Sequence, residues 1–230
     1  MLTGVRAIAF DLDYTLWDVA PVLARAELAL HAWLTEHAPR LAASHTSAEL
    51  RQDREELARC EPHNAHDVTY LRQASLAARL RAHRYEERLA HEAMAVFLGA
   101  RNAVEVFPDV QPALARLGRR FRLGSLSNGN ADLATIGLLP HFVASLNARQ
   151  IGAAKPDRRC FEALAAALGC TSREILYVGD EPELDVAAAR RAGFGTVWMN
   201  RGGTLAWPGS LACADLVVSD CTELADTLGV

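Results

Sequence analysis

An apolar run that ends at two carboxylates, close to the start of the chain, constrains the fold more than any other feature. Residues 5–10 are almost wholly apolar, which is typical of a short buried strand, and Asp11 and Asp13 follow directly. In an open α/β sheet, ligands bind just beyond the carboxyl ends of the strands, so we expect both acids at a binding edge. Because close carboxylates repel each other, a hard cation such as Mg²⁺ would stabilise them in the ionised form.

Composition and charge narrow the class of protein. The 230 residues include 24 basic and 28 acidic side chains, a formal net charge of −4, and half of them are apolar. This is ordinary for a globular protein that can bury a sizeable core. This charge balance argues against a general nucleic-acid binder, which would need a basic surface, so nucleic acid is not expected as a partner. A small anionic metabolite is compatible, since a local pocket can be positive in an acidic protein.

The expected compartment follows from the apolar runs and the cysteines. No apolar run approaches the roughly 20 residues that span a bilayer, and the first predicted strand is not preceded by a signal-peptide pattern. The five cysteines are scattered and form no C-x-x-C pair, which predicts neither a zinc site nor a disulfide framework. A cytoplasmic protein with no membrane partner is the simplest expectation.

Residues 19–103 differ from the rest of the chain because they have almost no strand signal. Apolar residues at helical spacing, the capping-box pattern Thr46-Ser47-Ala48-Glu49 and a stop at Gly99 predict a bundle of four helices, the last of them from Tyr85. Elsewhere strands alternate with helices, which predicts a doubly wound parallel sheet. The predicted fold class is therefore α/β, with a Rossmann-like core of residues 1–18 and 104–230 and an inserted helical bundle of residues 19–103.

Polar clusters recur at the strand ends and helix starts of the predicted core. They are Ser127-Asn128-Gly129 after one strand, Lys155 before a helix, and Asp180 with Asp185 after another strand. The carboxyl ends of parallel strands share one edge, so we expect these clusters to meet Asp11 and Asp13 there. Acids bind a metal, whereas a lysine, a hydroxyl and backbone N–H groups bind an anion. Such a mixed site suits phosphoryl transfer.

Four motifs in this order resemble those of the haloacid dehalogenase-like hydrolase superfamily, across nearly the whole chain. They are Asp11-Leu12-Asp13-Tyr14-Thr15, Ser127-Asn128-Gly129, Lys155-Pro156 and Gly179-Asp180-Glu181-Pro182-Glu183-Leu184-Asp185. The resemblance implies a core of the haloacid dehalogenase type, and the helical insert directly after the first motif looks like the helical cap of that family. Tyr14 stands where the family often has Gly or Asp, and Ser127 replaces the usual Thr.

The resemblance implies roles for the acids of the site. Asp11 would be the nucleophile that forms an aspartyl-phosphate, as carboxylate nucleophiles do. Asp13 would be the general acid and base. The Mg²⁺ cofactor would be held by the Asp11 carboxylate, the Asp13 backbone carbonyl and Asp180. Asp185 would orient Lys155 or a metal-bound water, with a solvated helix acid as the alternative. Glu181 would touch the metal through water or have no role.

The same resemblance implies a phosphate site and a substrate site. Phosphate would be bound by Ser127, by the N–H groups near Asn128 and Gly129, and by Lys155, which would also pair with the nucleophile. In the insert, Glu61-Pro62 and His66-Asp67-Val68-Thr69 look like bacterial phosphatases of flavin metabolism. The candidate substrate contacts are His66, Asp67, Thr69 and, beside the first motif, Trp17. Helix initiation by His66 and Asp67 and plain packing of Trp17 remain alternative interpretations.

The predicted activity is Mg²⁺-dependent hydrolysis of a small phosphorylated metabolite, such as flavin mononucleotide or a riboflavin-pathway intermediate. Three alternatives stay open. A haloacid dehalogenase of the same superfamily uses an Asp nucleophile without a metal, and its first motif lacks the second acid that Asp13 supplies here. A phosphomutase would keep both acids, and a non-catalytic binding module would keep only the fold. The oligomeric state stays open.

Overall fold

The computed structural model describes residues 4–203 and 205–230. Its strands are β1 (Ala7–Phe10), β2 (Arg122–Ser127), β3 (Ala144–Asn147), β4 (Ile175–Gly179), β5 (Gly195–Met199) and β6 (Leu216–Val218). Its α-helices are α1 (Val19–His37), α2 (Pro39–Ser44), α3 (Ser47–Cys60), α4 (Val68–Ala82), α5 (Leu89–Arg101), α6 (Val110–Leu117), α7 (Leu133–Ile136), α8 (Ala148–Ile151), α9 (Arg158–Leu168), α10 (Ala188–Arg191) and α11 (Cys221–Thr227). A π-helix, Pro182–Ala187, leads into α10, and short 3₁₀ helices cover Pro62–Asn64, Leu139–His141, Ser172–Glu174 and Arg201–Gly203.

The six strands form one sheet in the order β3-β2-β1-β4-β5-β6, and each neighbouring pair is parallel. This confirms the α/β fold with a doubly wound parallel sheet. Phe10 at the end of β1 pairs with Ser125 on one side and Val178 on the other. The carboxyl ends of β1, β2 and β4 therefore lie side by side. The strand order reverses at β1, which is where ligands bind in open sheets of this kind.

Burial explains why β1 and β4 are continuous apolar segments. All residues of both strands are buried, as expected when helices cover the two faces of a parallel sheet. Phe161 of α9 packs edge-to-face against Tyr177 of β4, with ring centroids 5.4 Å apart. A β-carbon at Gly124 of β2 would lie 3.1 Å from Leu168 of α9, so the missing side chain allows the helix to approach the strand.

The described residues divide into two compact units. One comprises the chain up to Asp18 together with Glu105–Val230, and the other is Val19–Val104. The second unit is helical and has its own apolar core, to which α1, α4 and α5 contribute Leu30, Leu76 and Phe97. We call it the helical unit. None of the helices in the described part of the chain is long and apolar enough to cross a membrane.

The helix starts of the helical unit follow local sequence signals. Thr46 and Glu49 form the expected capping box at the start of α3. Asp67 caps α4, because its carboxylate accepts hydrogen bonds from the backbone N–H groups of Thr69 and Tyr70 at 3.0 and 2.9 Å. These side chains satisfy N–H groups that have no partner within the helix.

The predicted bounds of the last helix in this unit are wrong at both ends. Helix α5 begins at Leu89 rather than Tyr85, because Arg84 adopts a left-handed conformation (φ 61°) that ends α4. There the Tyr85 N–H donates to the carbonyl of Leu80 at 2.9 Å, the bond typical of a helix end of this type. Helix α5 also continues past Gly99 to Arg101, so Gly99 is a helix interior residue rather than a stop.

Asp109 directly precedes α6, but its side chain does not cap the helix. Its carboxylate instead accepts two hydrogen bonds from Arg201, at 2.8 and 2.9 Å, and one from the backbone N–H of Cys221 at 2.8 Å. The carboxylate bonds to a charged partner from another part of the core, through Nη1 of Arg201, because a hydrogen bond between two ionised groups is stronger than one to a neutral backbone N–H. The link thus connects α6 with the segments that follow β5 and β6.

Candidate active site

The first acid of the site is fixed by the sheet itself. The backbone N–H of Asp11 donates to the carbonyl of Val178 at 2.8 Å, which continues the pairing of β1 with β4 by one residue. The loop then turns: the N–H of Leu16 donates to the carbonyl of Leu12 at 2.8 Å, and Tyr14 between them has a left-handed backbone (φ 58°). The side chain of Asp11 is consequently held at the carboxyl edge of the sheet, where it is almost completely buried.

Lys155 lies at the centre of the site. Its ammonium donates to Asp11 Oδ1 and to Asp185 Oδ1, each at 2.6 Å, and to the hydroxyl of Tyr177 at 3.2 Å. The side chains of all three ionised residues are at most 10% exposed. A buried lysine is tolerated only when it is paired, and here two carboxylates and a phenol use all three of its N–H groups. The first, third and fourth motif regions therefore converge around one buried cation.

Asn128 holds the backbone of Lys155 rather than presenting its side chain to a ligand. The Asn128 amide accepts from the Lys155 N–H at 2.7 Å and donates to the Lys155 carbonyl at 3.0 Å. This reciprocal pair ties the loop after β2 to the segment before α9. The prediction that placed Asn128 near the phosphate site concerned its backbone N–H, and the side chain has this separate positioning task.

Asp185 is held from two sides. Its Oδ1 accepts from Lys155, and its Oδ2 accepts from the backbone N–H of Glu181 at 3.1 Å. The carboxyl group is almost fully buried, so the expected alternative of a solvated helix acid does not hold. Of the two roles expected for Asp185, the geometry shows the contact that orients Lys155. Glu181 contributes through its backbone.

A cluster of three carboxylates could hold a metal ion. Ligand oxygens of Asp11, Asp180 and Asp185 all lie within 4.8 Å of one another. Thr15 donates to Asp180 Oδ1 at 3.3 Å, and the indole of Trp198 donates to the Asp180 carbonyl at 2.8 Å, which together fix this acid. The donors are all oxygen, the type of ligand that Mg²⁺ prefers.

The pKa values of the acids in this cluster indicate an excess of negative charge. Burial, opposed by Lys155 and reinforced by Asp185 and Asp180, raises the pKa of Asp11 well above its usual value. Burial and the charge of Asp185 raise the pKa of Asp180 to about 7. One ammonium thus does not balance the neighbouring acids. A divalent cation would supply the missing positive charge, so the residues present fit the group that the family resemblance implies.

Burial acts in opposite directions on the pKa values of Lys155 and Tyr177, because one group is charged and the other neutral when protonated. Burial alone would lower the pKa of Lys155, but the charges of Asp11 and Asp185 outweigh it and raise that pKa well above its ordinary value. Burial raises the pKa of Tyr177, whose hydroxyl is 3.1 Å from the carbonyl of Leu126 and donates to it. The ammonium stays charged and the phenol stays neutral. The sequence prediction missed Tyr177, whose only signal was a polar tip within an otherwise apolar strand.

Ser127 and Gly129 form a turn at the end of β2. The backbone N–H of Gly129 donates to Ser127 Oγ at 2.9 Å. Because the Ser127 oxygen is the acceptor in this bond, the Ser127 hydroxyl can donate its proton to an anion. The structure thus places Ser127 beside the other strand ends, and its hydroxyl suits the expected phosphate contact.

The four expected substrate contacts lie in different surroundings. Trp17 is fully buried, so it cannot offer a ring face to a substrate in this structure; its indole N–H instead donates to Asp13 Oδ1 at 2.8 Å. In the helical unit, Asp67 caps α4 and Thr69 is buried in its first turn. His66 directly precedes that cap and is half-buried. Helix initiation by Asp67 is therefore observed.

Arg201 supports the first motif from the segment that follows β5 and was not among the predicted site residues. Its guanidinium donates twice to the carbonyl of Thr15, at 2.7 and 3.1 Å, while pairing with Asp109. It also lies over the ring of Phe107, 4.2 Å from the ring centroid. Arg201 follows β5 and stands outside the four motifs, so no local pattern could have indicated it.

With this geometry established, comparison with known proteins decides the family. Residues 5–193 match the model of the haloacid dehalogenase-like hydrolases. The chain belongs to this hydrolase family. The motif resemblance and the fold that it implied are thereby confirmed.

The relatives of this hydrolase include enzymes of two chemistries. It is 33% identical to the 5-amino-6-(5-phospho-D-ribitylamino)uracil phosphatase YigB of Escherichia coli strain K12, over 86% of this chain and 84% of the relative. A crystal structure named as a 2-haloacid dehalogenase from Pseudomonas syringae pv. Tomato DC3000 is 35% identical, with a TM-score of 0.92 and coverage of 97% and 98% of the two chains. An (S)-2-haloacid dehalogenase of Pseudomonas sp. strain YL is 29% identical over 87% of this chain and 85% of the relative.

The site of this hydrolase combines the parts that displacement at an electrophilic centre requires. Asp11 is a buried carboxylate at the sheet edge, Lys155 is a fixed cation beside it, and Ser127 supplies a hydroxyl donor. A carboxylate nucleophile with a positioned cation can form a covalent intermediate. Which bond is broken depends on the side chains that protonate or stabilise the leaving group.

Proposed function

We propose that this hydrolase cleaves phosphomonoesters with Mg²⁺, through an aspartyl-phosphate on Asp11. The observation that carries the proposal is Asp13, a second carboxylate two residues after the nucleophile, held by a hydrogen bond from Trp17. A phosphoester releases an alcohol, and an alkoxide leaves readily only when an acid protonates it. A halide needs no proton to leave. The second acid therefore favours phosphoryl transfer over dehalogenation.

The residues of the chain divide the reaction between them. The carboxylate of Asp11 forms a bond to phosphorus while the bond from phosphorus to the ester oxygen breaks, and Asp13 gives its proton to that oxygen. Asp13 then takes a proton from water, whose oxygen attacks the phosphorus and releases phosphate and the Asp11 carboxylate. Lys155 keeps the Asp11 carboxylate oriented throughout and neutralises part of its charge.

The metal site of the proposal uses oxygen ligands only. Asp11, the backbone carbonyl of Asp13 and Asp180 would hold Mg²⁺, with Asp185 beside them bonded to Lys155. When bound, the cation would neutralise charge on the phosphate oxygens and on the acids around it. The raised pKa of Asp180, caused by burial and then by Asp185, supports a site that lacks one cation for its acids.

For the substrate we propose a phosphorylated, hydroxylated chain that carries a flat heterocycle, as in flavin mononucleotide or a riboflavin-pathway intermediate. The similarity to the Escherichia coli phosphatase supports this class. In the helical unit the segment that resembles flavin-metabolism phosphatases contains local hydrogen bonds: Glu61 accepts from Tyr70 and Asn64, both at 2.8 Å. We propose that the helical unit acts as a cap and that His66 and Thr69 contribute to substrate choice.

The test is phosphate release by the purified chain, with and without Mg²⁺. We expect release from flavin mononucleotide that a chelator abolishes and Mg²⁺ restores, together with a rise in melting temperature on adding Mg²⁺. Asp11→Asn should eliminate turnover, and Asp13→Asn should lower it by about 10²–10⁴-fold. Full turnover with excess chelator would refute the metal assignment. Equal rates on flavin mononucleotide and on glycerol phosphate would refute the substrate class alone.

Dehalogenation of a 2-haloacid is the second candidate, and the close structural similarity to the Pseudomonas syringae protein favours it. The same preparation should therefore be offered 2-chloropropionate, with chloride release as the readout. We expect no chloride above background. Chloride release without phosphate release would replace the proposed function, while leaving Asp11 as the nucleophile of a carbon-centred displacement.

A further inference from the structure

The indole of Trp17 is buried and forms a hydrogen bond with the second acid of the first motif. Its side chain has no exposed surface, and its N–H donates to Asp13 Oδ1 at 2.8 Å, four residues back along the chain. Its backbone pairs with Asp13 on one side and with Val106 on the other. The ring is therefore fixed through both its backbone and its packing, and it reaches the acid from a position that cannot move independently.

The chemistry of the indole limits what this contact can do. An indole N–H only donates, and an indole buried without an acceptor would leave a donor unsatisfied, which is unfavourable. Asp13 Oδ1 is therefore always the acceptor in this pair, whether or not the carboxyl group carries a proton. A proton on the acid belongs on the other oxygen, because the oxygen that accepts a hydrogen bond is the carbonyl-type oxygen of a carboxyl group.

We propose that Trp17 is a positioning residue that sets which oxygen of Asp13 performs proton transfer. Trp17 holds Oδ1, and Oδ2 gives the proton to the leaving oxygen as the bond from phosphorus to that oxygen breaks. In the second step Oδ2 takes the proton from water as the water oxygen bonds to phosphorus. This proposal rests on the proposed phosphatase function. It goes beyond the four motifs, because the first motif ends at Thr15 and does not include Trp17.

The alternative is that Trp17 only fills space, and leaving-group chemistry separates the two. Protonation matters for an alkoxide, which leaves poorly, and hardly matters for nitrophenolate, which is stable as an anion. Loss of orientation at Asp13 should therefore lower kcat/KM for an alkyl phosphate and spare an aryl phosphate. The ratio kcat/KM reports on the steps up to departure of the alcohol, so it is not affected by slow hydrolysis of the intermediate.

The central experiment compares Trp17→Phe and Trp17→His on ethyl phosphate and p-nitrophenyl phosphate. Phenylalanine keeps an apolar ring and removes the donor. Histidine keeps a five-membered ring whose Nε2 takes the place of the indole nitrogen. We expect Trp17→Phe to lower kcat/KM for ethyl phosphate by about 10–100-fold and for p-nitrophenyl phosphate by less than about threefold, because general acid catalysis is worth about 10²–10⁴-fold in total. In Trp17→His, the ratio of kcat/KM for ethyl phosphate to kcat/KM for p-nitrophenyl phosphate should return most of the way to the wild-type value.

A double-mutant cycle and a matched control complete the design. In an Asp13→Ala background, Trp17→Phe should cause no further change in the ratio of the two substrates, since the acid that it orients is gone. Trp207→Phe removes another indole hydrogen bond, to the Leu211 carbonyl at 3.1 Å, and should leave the ratio unchanged. Melting temperatures of all variants report on folding separately.

The outcomes are distinct. Equal losses on both substrates, or a further change of the ratio in the Asp13→Ala background, would show that Trp17 acts only through packing. An unchanged ratio in Trp17→Phe would overturn the proposal outright. Failure of the wild-type protein to release phosphate from either ester would overturn the proposed function, and this inference with it. A wild-type enzyme that is active but insensitive at Trp17 would overturn only the inference.

Discussion

Gly179 and Asp185 are so close that a side chain at position 179 would overlap the Asp185 carboxylate and displace it. A β-carbon built on Gly179 would lie 2.4 Å from Cγ of Asp185, well inside van der Waals contact. Asp185 in turn holds the ammonium of Lys155 at 2.6 Å. The end of β4 must therefore be glycine so that a buried acid from the following π-helix can reach the lysine beside the nucleophile.

Gly179→Ala should accordingly damage both stability and activity. We expect the free energy of unfolding to fall by about 1–3 kcal/mol, the usual cost of overpacking. Displacement of Asp185 should also lower kcat, because Lys155 loses one of its two carboxylate partners. The matched control is Gly99→Ala, where a β-carbon meets nothing within 4 Å in the interior of α5. This control should gain about 0.5–1 kcal/mol. Urea unfolding and phosphate release measure both effects.

Tyr14 has a left-handed backbone, with φ at 58°, and its side chain is largely exposed. A non-glycine residue in this conformation costs roughly 1 kcal/mol or more. We expect Tyr14→Gly to be more stable than Tyr14→Ala by about 1 kcal/mol, because only glycine adopts this backbone without strain. The reverse order should hold in a helix, where Ala78→Gly should destabilise by about 0.5–1 kcal/mol. A less stable Tyr14→Gly would contradict this interpretation of the loop.

The pair formed by Asp109 and Arg201 should make stability depend on pH. Burial would raise the pKa of Asp109, but hydrogen bonds from Arg201 and the Cys221 N–H outweigh it and lower that pKa below the ordinary value of a carboxyl group. Between this lowered pKa and the ordinary carboxyl pKa, the unfolded chain binds more protons than the folded protein. The stabilisation by the pair is therefore complete above the ordinary carboxyl pKa. It is lost as the pH falls through the lowered value.

Asp109→Asn should therefore reduce the free energy of unfolding at pH 7 by about 1–3 kcal/mol, as expected for hydrogen bonds to a charged group. The difference from wild type should shrink in acid, near or below the lowered pKa. Glu162→Gln removes an exposed ion pair with Arg158 and should cost less than about 1 kcal/mol. Denaturant unfolding of the three proteins at neutral and acidic pH gives the comparison, and a pH-independent difference would rule out the ion pair as the cause.

The cysteines should differ sharply in reactivity. Burial raises the pKa of Cys160 to about 11 and that of Cys221 to about 12, whereas Cys60 and Cys213 are exposed. The thiolate is the reactive form, so the two buried thiols are almost wholly unreactive at pH 8. We expect a thiol reagent to label Cys60 and Cys213 rapidly in the native protein and Cys160 and Cys221 only after denaturation. Peptide mapping identifies the labelled sites.

Local patterns in the sequence were sufficient for the fold class and for the acids and the lysine that meet at the sheet edge. A buried strand followed by polar residues is a local signal, and parallel pairing brings all such strand ends together wherever they occur in the chain. For this reason the sequence alone predicts that Asp11, Lys155 and Asp180 lie together. Helix caps such as Thr46 and Asp67 were predictable for the same reason, because their partners lie two or three residues away.

Other contacts depended on which atoms the folded core brings within hydrogen-bond distance of each other. Arg201 and Thr15 are 186 residues apart, and Tyr177 reaches Lys155 across 22 residues and two elements. Tertiary packing also prevailed over local sequence preference, since the carboxylate of Asp109 pairs with the partly buried guanidinium of Arg201 and does not cap α6. A sequence pattern determines which residues arrive at an edge of the sheet. Strand register and side-chain packing, which no short segment contains, decide which of them form hydrogen bonds.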